Sequence, residues 1–247
     1  MEVLLSEDEF ITHQNLPIKI YSKIIDFGNN KKIKISNYNL KEHIFNHFTI
    51  NKGKGEFYEN KLLEKIKSMD IFGTYIDCGA NIGNHSVYFL NFTKCNKLIS
   101  IEGHDKIFDL LKINIQNNNF ENKETLLINK LIGNKNDFTS FINLSNENNC
   151  GVGYVNDKIG IKKEMITIDS LNLEEVSLIK LDVENYEFQV LEGAKKTILK
   201  FKPVIIIELH TKNPFHKEII NFFEEIKYTT NGINYAMSIT LIYKSNE

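Results

Sequence analysis

The residues best suited to chemistry in this sequence follow short apolar runs, at positions where buried strands would end. They are four acids and a histidine: Asp77, Glu102, Asp182, Glu208 and His210. The carboxyl ends of parallel strands meet along one edge of an open α/β sheet, and ligands bind outside that edge. We therefore expect these side chains to surround one site, where a carboxylate or an imidazole can accept a proton from a reacting group.

The segment Thr74–Leu90 organises the rest of the predicted fold. Its apolar run leads into a turn with two glycines four positions apart, Gly79 and Gly83, and an apolar helical pattern covers Asn84–Phe92. Glycine permits a sharp turn and leaves no Cβ between the backbone and a ligand. The first N–H groups of the helix can bind a carboxylate. The pattern predicts a strand, a cofactor-binding turn and a helix. A structural alternative is that the glycines only close a tight turn.

The next predicted strand, Leu98–Glu102, ends in a second acid just over twenty residues beyond the turn. A doubly wound sheet places there the carboxylate that accepts hydrogen bonds from a ribose; alternatively, Glu102 is only a surface acid. A dinucleotide site requires Gly-x-Gly-x-x-Gly, whereas Asp77 and Asn81 give Asp-x-Gly-x-x-x-Gly here. The pattern resembles motif I of class I S-adenosylmethionine methyltransferases, and it favours S-adenosylmethionine over NAD as cofactor.

Length and composition suit either one large α/β domain or one domain with a small extension. The chain has 247 residues, of which 42% are apolar, enough for a full core. Alternating apolar residues over Ile18–Ile25 and Lys32–Ser36, with turn residues between them, predict a β-hairpin. We therefore divide the chain into an N-terminal β-hairpin and helix extension, 1–55, and a cofactor-binding domain, 56–247.

Charge and residue spacing argue against several classes of function. The net charge is −2 without a strong basic cluster, so binding of nucleic acid has no electrostatic support. The cysteines lack metal-ligand spacing, and His43 and His47 would share a helical face without a third ligand nearby. The N-terminus is too acidic for a signal peptide, and no apolar run approaches the roughly eighteen residues of a membrane span. We expect a cytoplasmic protein without membrane insertion; the sequence leaves a homodimer open.

Further periodic segments predict the remaining elements. Helices are expected over 59–69, after a cap at Asp105, and over 188–201 and 214–226; strands are expected over 125–132, 137–144, 165–171, 176–182, 204–210 and 239–243. The polar stretch 146–160 lacks periodicity, and we expect it to help form a substrate lid.

Six segments in order resemble the FkbM family of methyltransferases. They are Ile76–Gly83, Ile101–Glu102, Ile168–Leu171, Ile179–Glu187, Val190–Ala194 and Pro203–His210, and the resemblance covers roughly residues 56–210. It implies a Rossmann-like class I methyltransferase fold, an α/β arrangement with a mostly parallel seven-stranded sheet and helices on both faces. It also implies S-adenosylmethionine as methyl donor. The implied cofactor-binding positions are Tyr58, Asp77, Gly79, Ala80, Asn81, Gly83, Asn84, Glu102 and Gly103.

The chain departs from the family pattern at Asn185, where glycine is usual. Asparagine is among the few other residues that tolerate a left-handed backbone. We therefore expect the turn to survive, and its width and the substrate fit are left open.

The resemblance implies O-methylation of a sugar or polyketide-type hydroxyl, which must lose its proton as it attacks the sulfonium methyl group. A base that is aligned with both reactants therefore helps. His210 is our first candidate, because the unperturbed pKa of imidazole lies near neutral pH. Asp182 and Glu184 compete with it, and Lys180 is expected to pair with an acid.

Other roles are open for the same residues. A histidine at a strand end is often only hydrogen bonded, and Glu184 and Glu187 suit the positive end of a helix dipole. Asp182 and Glu208, on adjacent strands, are also candidate ligands for a divalent ion such as Mg or Mn, although we do not expect a metal.

The acceptor is the least determined part of this hypothesis. We expect a nucleotide-activated sugar, a heptose or hexose used in capsular or surface polysaccharide biosynthesis. Macrolide, polyketide, lipid and protein acceptors stay open. Functions of other classes are an NAD-dependent oxidoreductase and a catalytically inactive binding module. Regions 1–55 and 146–160 are the least typical of the family, and we expect them to determine specificity.

Overall fold

The structure is a computed structural model, which describes residues 4–14, 16–28, 31–51, 54–118, 120, 122–144, 153–156, 158–209, 213–230 and 239–246. Its helices are α1 (His43–His47), α2 (Asn60–Ser68), α3 (Asn84–Phe92), α4 (Asp105–Gln116), α5 (Glu187–Gly193), α6 (Lys195–Phe201) and α7 (His216–Glu225). Its strands are β1 (Leu4–His13), β2 (Leu16–Asp26), β3 (Lys32–Asn37), β4 (Thr49–Asn51), β5 (Lys54–Glu56), β6 (Phe72–Cys78), β7 (Lys94–Ile101), β8 (Glu124–Ile128), β9 (Leu131–Ile132), β10 (Asp137–Asn143), β11 (Gly153–Asn156), β12 (Ile161–Ile166), β13 (Leu178–Leu181), β14 (Val204–Leu209), β15 (Tyr228–Thr230) and β16 (Ile239–Ser245).

Seven strands form the central sheet, in the order β15-β16-β14-β13-β6-β7-β8. Neighbours from β14 to β8 are parallel, and β16 pairs antiparallel with both β14 and β15. The chain enters the sheet at β6, adds β7 and β8 on one side and later β13 and β14 on the other. The strand order therefore reverses between β6 and β13. The expected mostly parallel seven-stranded sheet is confirmed.

Helices cover both faces of this sheet, because successive side chains of a strand point to opposite faces. Tyr75 and Leu98 share a core with residues of α2, α3 and α4, whereas Ile76 and Ile99 share one with residues of α5, α6 and α7. Strands buried on both faces need continuous apolar runs, which is why these segments show no polar alternation.

The N-terminal region forms a three-stranded antiparallel sheet, β1-β2-β3. The predicted hairpin is confirmed as β2 and β3, and β1 is an additional strand that we did not predict. Ile20, Ile25, Ile33 and Ile35 belong to the same core as helices α2, α3 and α4. This sheet therefore packs directly on one layer of the central fold.

Two buried asparagines, Asn114 of α4 and Asn118 just beyond the end of that helix, bind the N-terminal sheet, and Asn114 also binds the turn after β6. Asn114 accepts a hydrogen bond from the Ser36 N–H at 2.7 Å and donates to the carbonyl oxygens of Ser36 and Ile82 at 3.0 and 2.7 Å. Asn118 pairs in the same way with both backbone groups of Lys34, at 3.0 and 2.8 Å. The two side-chain amides therefore bind the backbone N–H and C=O groups of Lys34 and Ser36 at the edge of β3, which a fourth strand would otherwise have to bind.

Several predicted boundaries were wrong. The segment 125–132 splits into β8 in the central sheet and β9, which joins β10, β11 and β12 in a separate sheet. The predicted strand 165–171 lies earlier, as β12. The helix cap before α4 is His104, not Asp105, and its side chain accepts from the Ile107 N–H at 3.5 Å.

The predicted helix 188–201 is two helices, α5 and α6, because α6 has its own N-terminal partner from elsewhere in the chain. The carboxylate of Asp169 accepts hydrogen bonds from the N–H groups of Lys196 and Thr197 at 3.1 and 2.8 Å. Among the described residues, no helix has both the length and the apolar character that a bilayer crossing requires.

We predict that Asn114→Ala lowers the free energy of unfolding by about 3 kcal/mol, because it leaves three backbone groups without their partner in a buried place. The matched control is Asn117→Ala at the C-cap of the same helix, since Asn117 is exposed and its side chain makes a long bond, 3.4 Å, to Ser36. That control should cost less than about 1 kcal/mol. Urea denaturation measures both, and equal losses would contradict this role of Asn114.

Candidate active site

A cavity of about 260 Å³ lies outside the carboxyl ends of the central strands, beside the point where the strand order reverses. Of the predicted site residues, those that line it are Tyr58, Gly79, Asn81, Glu102, Gly103, Asp182, Glu184 and Glu208. Those that do not line it are Asp77, Ala80, Gly83, Asn84 and Lys180. His210 lies outside the described residues.

The turn after β6 is fixed by its own backbone contacts. The N–H groups of Gly79 and Ala80 both donate to the carbonyl oxygen of Ile101, at 3.0 and 3.1 Å. Gly79 has a φ of +74°, and a Cβ there would overlap the carbonyl oxygen of Asp182. Packing of the turn against β13 therefore requires glycine at this position, irrespective of any ligand. The sequence had suggested that the ligand required it.

A buried lysine connects the ends of β6 and β13. The Lys180 Nζ lies 3.1 Å from Asp77 Oδ1 and 3.3 Å from Asp182 Oδ2, and it donates to the carbonyl oxygen of Gly79 at 3.2 Å. Burial alone would lower the pKa of Lys180, but the two carboxylates raise it well above its ordinary value. The ammonium group therefore stays charged and cannot accept a proton. The predicted pairing of Lys180 with an acid is confirmed.

Asp77 supports this lysine from inside the protein. Its side chain is fully buried, and its Oδ2 accepts a hydrogen bond from Ser86 of α3 at 2.7 Å. Ser86 also contacts Ser100 of β7 at 2.8 Å. Asp77 therefore links two strands and a helix below the turn.

Two carboxyl groups meet at the ends of β13 and β14. The parallel register that pairs Leu181 with Ile207 brings the next residues, Asp182 and Glu208, side by side. A hydrogen bond from the carboxyl group of Glu208 to the Asp182 carboxylate is one of the interactions that favour ionised Asp182. Burial would raise the pKa of Asp182, but Lys180, the bond with Glu208 and the nearby His85 together hold it below its ordinary value. Asp182 is therefore an ionised acceptor at neutral pH.

Glu102 lies on the other side of the turn, with a side chain that is almost fully buried. Its Oε2 accepts from the Asn81 N–H at 2.9 Å, and its Oε1 accepts from the His104 N–H at 2.7 Å. Burial raises the pKa of Glu102 to about 7, although these two N–H groups and Lys180 oppose the shift. A carboxylate has about four acceptor positions, so Glu102 retains capacity for a ligand.

Tyr58 reaches the cavity from the segment before α2. Its backbone N–H and carbonyl oxygen pair with the side chain of Asn84, the first residue of α3, at 3.2 and 3.1 Å. The rings of His43 and His47 contact the Tyr58 ring edge-on, with centroids 5.2 and 5.5 Å apart. The two histidines share a helical face as predicted; His43 is partly buried, and His47 is exposed. Burial, followed by the neighbouring carboxylates, raises the pKa of Tyr58, so the phenol stays protonated.

The segment between β13 and α5 has an uncommon backbone. Asn185 has a φ of +68°, so its predicted left-handed conformation is confirmed, and Glu184 is also left-handed at +52°. Glu187, which the sequence indicated only as an acid at a helix N-terminus, lines the cavity as well. The sequence could not predict that Glu187 lines the cavity, because the direction of its side chain depends on the conformation of the loop that precedes α5.

The outer wall of the cavity comes from the separate β9–β12 sheet. Phe141 of β10 and Gly153 and Val155 of β11 line it, and β11 pairs antiparallel with β10. Within the expected lid 146–160, residues 146–152 and 157 lie outside the described residues. The lid therefore stays a prediction.

A metal centre has no complete ligand set in the described part of the chain. No group of three or more His, Cys, Asp or Glu side chains that could hold an ion occurs there. Asp182 and Glu208 supply two carboxyl groups.

We predict that Lys180→Met lowers the free energy of unfolding by about 3–5 kcal/mol, because it leaves the carboxylate of Asp77 buried without a counter-ion. The matched control is Lys94→Met, which breaks the Lys94–Asp70 pair, 57% and 67% exposed. An exposed pair contributes about 1 kcal/mol or less. Chemical denaturation of both variants tests the difference, and similar losses would show that the Lys180 cluster does not hold the strand ends together.

Comparison with known proteins identifies the family. The family described as "Methyltransferase FkbM domain" matches residues 77–230, more than half of the chain. No curated protein matches.

Among solved structures, the chain is similar to methyltransferase FkbM from Methylobacillus flagellatus KT, with 19% identity and a TM-score of 0.51. The match covers 70% of this chain and 44% of that protein, so this chain spans less than half of its length. An O-methyltransferase from Bacillus cereus in complex with SAH matches with 13% identity, a TM-score of 0.47 and coverage of 79% and 81%. These distant likenesses concern the fold alone. By the match of the family over residues 77–230, the chain belongs to the FkbM family of methyltransferases.

Proposed function

We propose that the protein is an S-adenosylmethionine-dependent O-methyltransferase that acts on a sugar hydroxyl. Family membership supports methyl transfer. The observation that carries the rest of the proposal is a single cavity with Glu102 on one side of the β6 turn and the Asp182–Glu208 pair on the other.

The chemistry of the lining fits this donor better than a dinucleotide. Five acidic side chains of the described residues line the cavity, together with one lysine: Glu102, Asp182, Glu184, Glu187, Glu208 and Lys130. Glu102 and Glu187 have pKa values raised by burial to about 7, and Glu208 donates to Asp182, so only part of this lining is ionised at neutral pH. It still holds more acids than its one lysine can neutralise, which favours the sulfonium and ammonium groups of S-adenosylmethionine over the pyrophosphate of NAD. It therefore supports the methyltransferase over the NAD-dependent oxidoreductase.

Each part of the reaction has a candidate group in the chain. When bound, the donor supplies an electrophilic methyl group. Glu102 would accept hydrogen bonds from the ribose hydroxyls. Asp182, held ionised by Lys180, would accept the hydrogen bond of the acceptor hydroxyl and so orient its oxygen for in-line attack. Glu184 and His210 stay candidates for the base that finally takes the proton.

The charge of the cavity also restricts the acceptor. A heptose or hexose of a surface polysaccharide pathway fits as an uncharged polyol. A nucleotide-activated sugar fits only with its diphosphate outside the carboxylate-lined cavity, because like charges repel strongly at low dielectric. Hydroxyl groups of a macrolide, a lipid or a protein satisfy the same local chemistry.

We predict that the affinity for S-adenosylhomocysteine rises with pH up to about 7 and levels off above it. The pKa of Glu102 is about 7 in the free protein, and ribose hydroxyls that donate to the carboxylate would lower it. The complex then holds fewer protons than the free protein, so affinity increases with pH by up to about tenfold per unit below the free pKa. Titration calorimetry at several pH values measures this.

The variant Glu102→Gln should bind more weakly and lose the pH dependence. The exposed control Glu124→Gln, on β8, should retain the wild-type profile. Identical profiles for wild type and Glu102→Gln would contradict the ribose assignment.

We predict that Asp182→Asn lowers kcat for methyl transfer by about 10²–10⁴-fold, because the acceptor hydroxyl loses its ionised partner. The Kd for S-adenosylhomocysteine should change by less than about threefold. Glu224→Gln, an exposed acid on α7, is the control. The assay measures methyl transfer to a panel of free sugars and nucleotide sugars, with and without chelator. Full activity of Asp182→Asn would exclude this role, and binding of NAD without binding of S-adenosylhomocysteine would overturn the proposed function.

A further inference from the structure

The segment 182–186 is strained where it borders the cavity. Glu184 and Asn185 are consecutive non-glycine residues with left-handed backbones, at φ +52° and +68°. Such conformations cost about 1–3 kcal/mol each and persist only where the surroundings hold them. The segment begins with Asp182, so its conformation determines where that carboxylate and the Glu184 carboxylate lie.

One buried carboxylate holds this segment. Glu187, which is 2% exposed, accepts hydrogen bonds on Oε1 from the N–H groups of Val183 at 3.3 Å and Asn185 at 3.2 Å. These are the residues on either side of Glu184. The Glu187 side chain, at the start of α5, therefore binds the backbone on both sides of the strained residue Glu184.

The other oxygen of Glu187 reaches a different strand connection. Its Oε2 accepts from Asn213 Nδ2 at 2.7 Å, and Asn213, also buried, follows β14 by four residues. Asn213 Oδ1 accepts from the Phe215 N–H at 2.8 Å. That second bond fixes which end of the amide faces Glu187. The rings of Phe188 and Phe215 stack beside this contact, with centroids 5.6 Å apart.

We infer that Glu187 is a positioning residue, which clamps the segment 182–186 to the segment after β14 and so sets the geometry of the Asp182–Glu208 pair. Asp182 lies on the first segment, and Glu208 is the last residue but one of β14, five positions before Asn213. This inference rests on the proposed function for its effect on the reaction, but the clamp itself is a property of the folded chain. Glu187 touches no reacting atom in this assignment; it acts through the two segments that it joins.

The contacts allow a charge-swap experiment. In Glu187→Gln, the side-chain NH₂ would face the NH₂ of Asn213. In Asn213→Asp, a second acid would face Glu187, whose burial already raises its pKa to about 7. The variants are therefore compared at about pH 9, where a shared proton between the two acids is least favoured. In the double variant Glu187→Gln/Asn213→Asp, the amide of residue 187 donates to the carboxylate at 213, while Val183, Asn185 and Phe215 keep their acceptors. The double variant therefore keeps all four hydrogen bonds and exchanges donor and acceptor only in the bond between positions 187 and 213. Glu192→Gln, an exposed position on the same helix, is the control.

Hydrogen exchange of the peptide that covers 182–190 tests the clamp without any ligand. We expect each single variant to raise exchange at Val183 and Asn185 at least tenfold, and we expect the double variant to return it to within about threefold of wild type. Unchanged exchange in the single variants, or no recovery in the double variant, would overturn the inference.

Kinetics test the positioning role, with the acceptor found in the sugar panel. The single variants should lower kcat about 10–100-fold with little change in the KM for the methyl donor, and the double variant should recover most of it. Altered exchange with unchanged kcat would overturn the positioning role. If the wild type transfers methyl groups to no acceptor and binds no S-adenosylhomocysteine, the proposed function fails, and the exchange data alone decide whether the clamp exists.

Discussion

The buried ammonium group of Lys180 is the interaction on which the site depends. It compensates the charge of Asp77 inside the sheet, keeps Asp182 ionised at the cavity and holds the carbonyl oxygen of Gly79. A charge buried this deeply is tolerated only with its partners in place. The ends of β6 and β13 and the turn between β6 and α3 are therefore fixed relative to one another, before any ligand binds.

Acidic side chains lie on two sides of this cation. In the proposed function, Glu102 and the β6 turn bind the nucleoside, and the Asp182–Glu208 pair binds the reacting hydroxyl. Glu187 ties the second side together through Asn213, so strain at Glu184 and Asn185 is held by buried hydrogen bonds. Groups that are already in place need not rearrange when charge develops in a reaction. A strained backbone that holds two carboxyl groups in place is consistent with such a role.

Local patterns were sufficient to predict much of the fold. The helix Asn84–Phe92 begins and ends where the sequence indicated, and Glu102 and Asp182 follow their strands as expected, because apolar runs and glycine turns are local signals. The missed features depend on distant partners. Asp169 binds the first N–H groups of α6, so a new helix begins at Lys195. Strand β9 pairs with β12 and not with the central sheet. The Glu187 side chain accepts a hydrogen bond from Asn213. Gly79 was predicted correctly as a turn residue, but the close approach that requires it comes from Asp182, a hundred residues away.

The central claim is that one cavity holds a sulfonium nucleoside between Glu102 and Asp182. A crystal structure of the protein grown with S-adenosylhomocysteine tests it most directly. We expect the ribose hydroxyls within hydrogen-bond distance of the Glu102 carboxylate and the sulfur atom directed towards Asp182. Density for the nucleoside elsewhere, or a ribose that makes no contact with Glu102, would contradict the account.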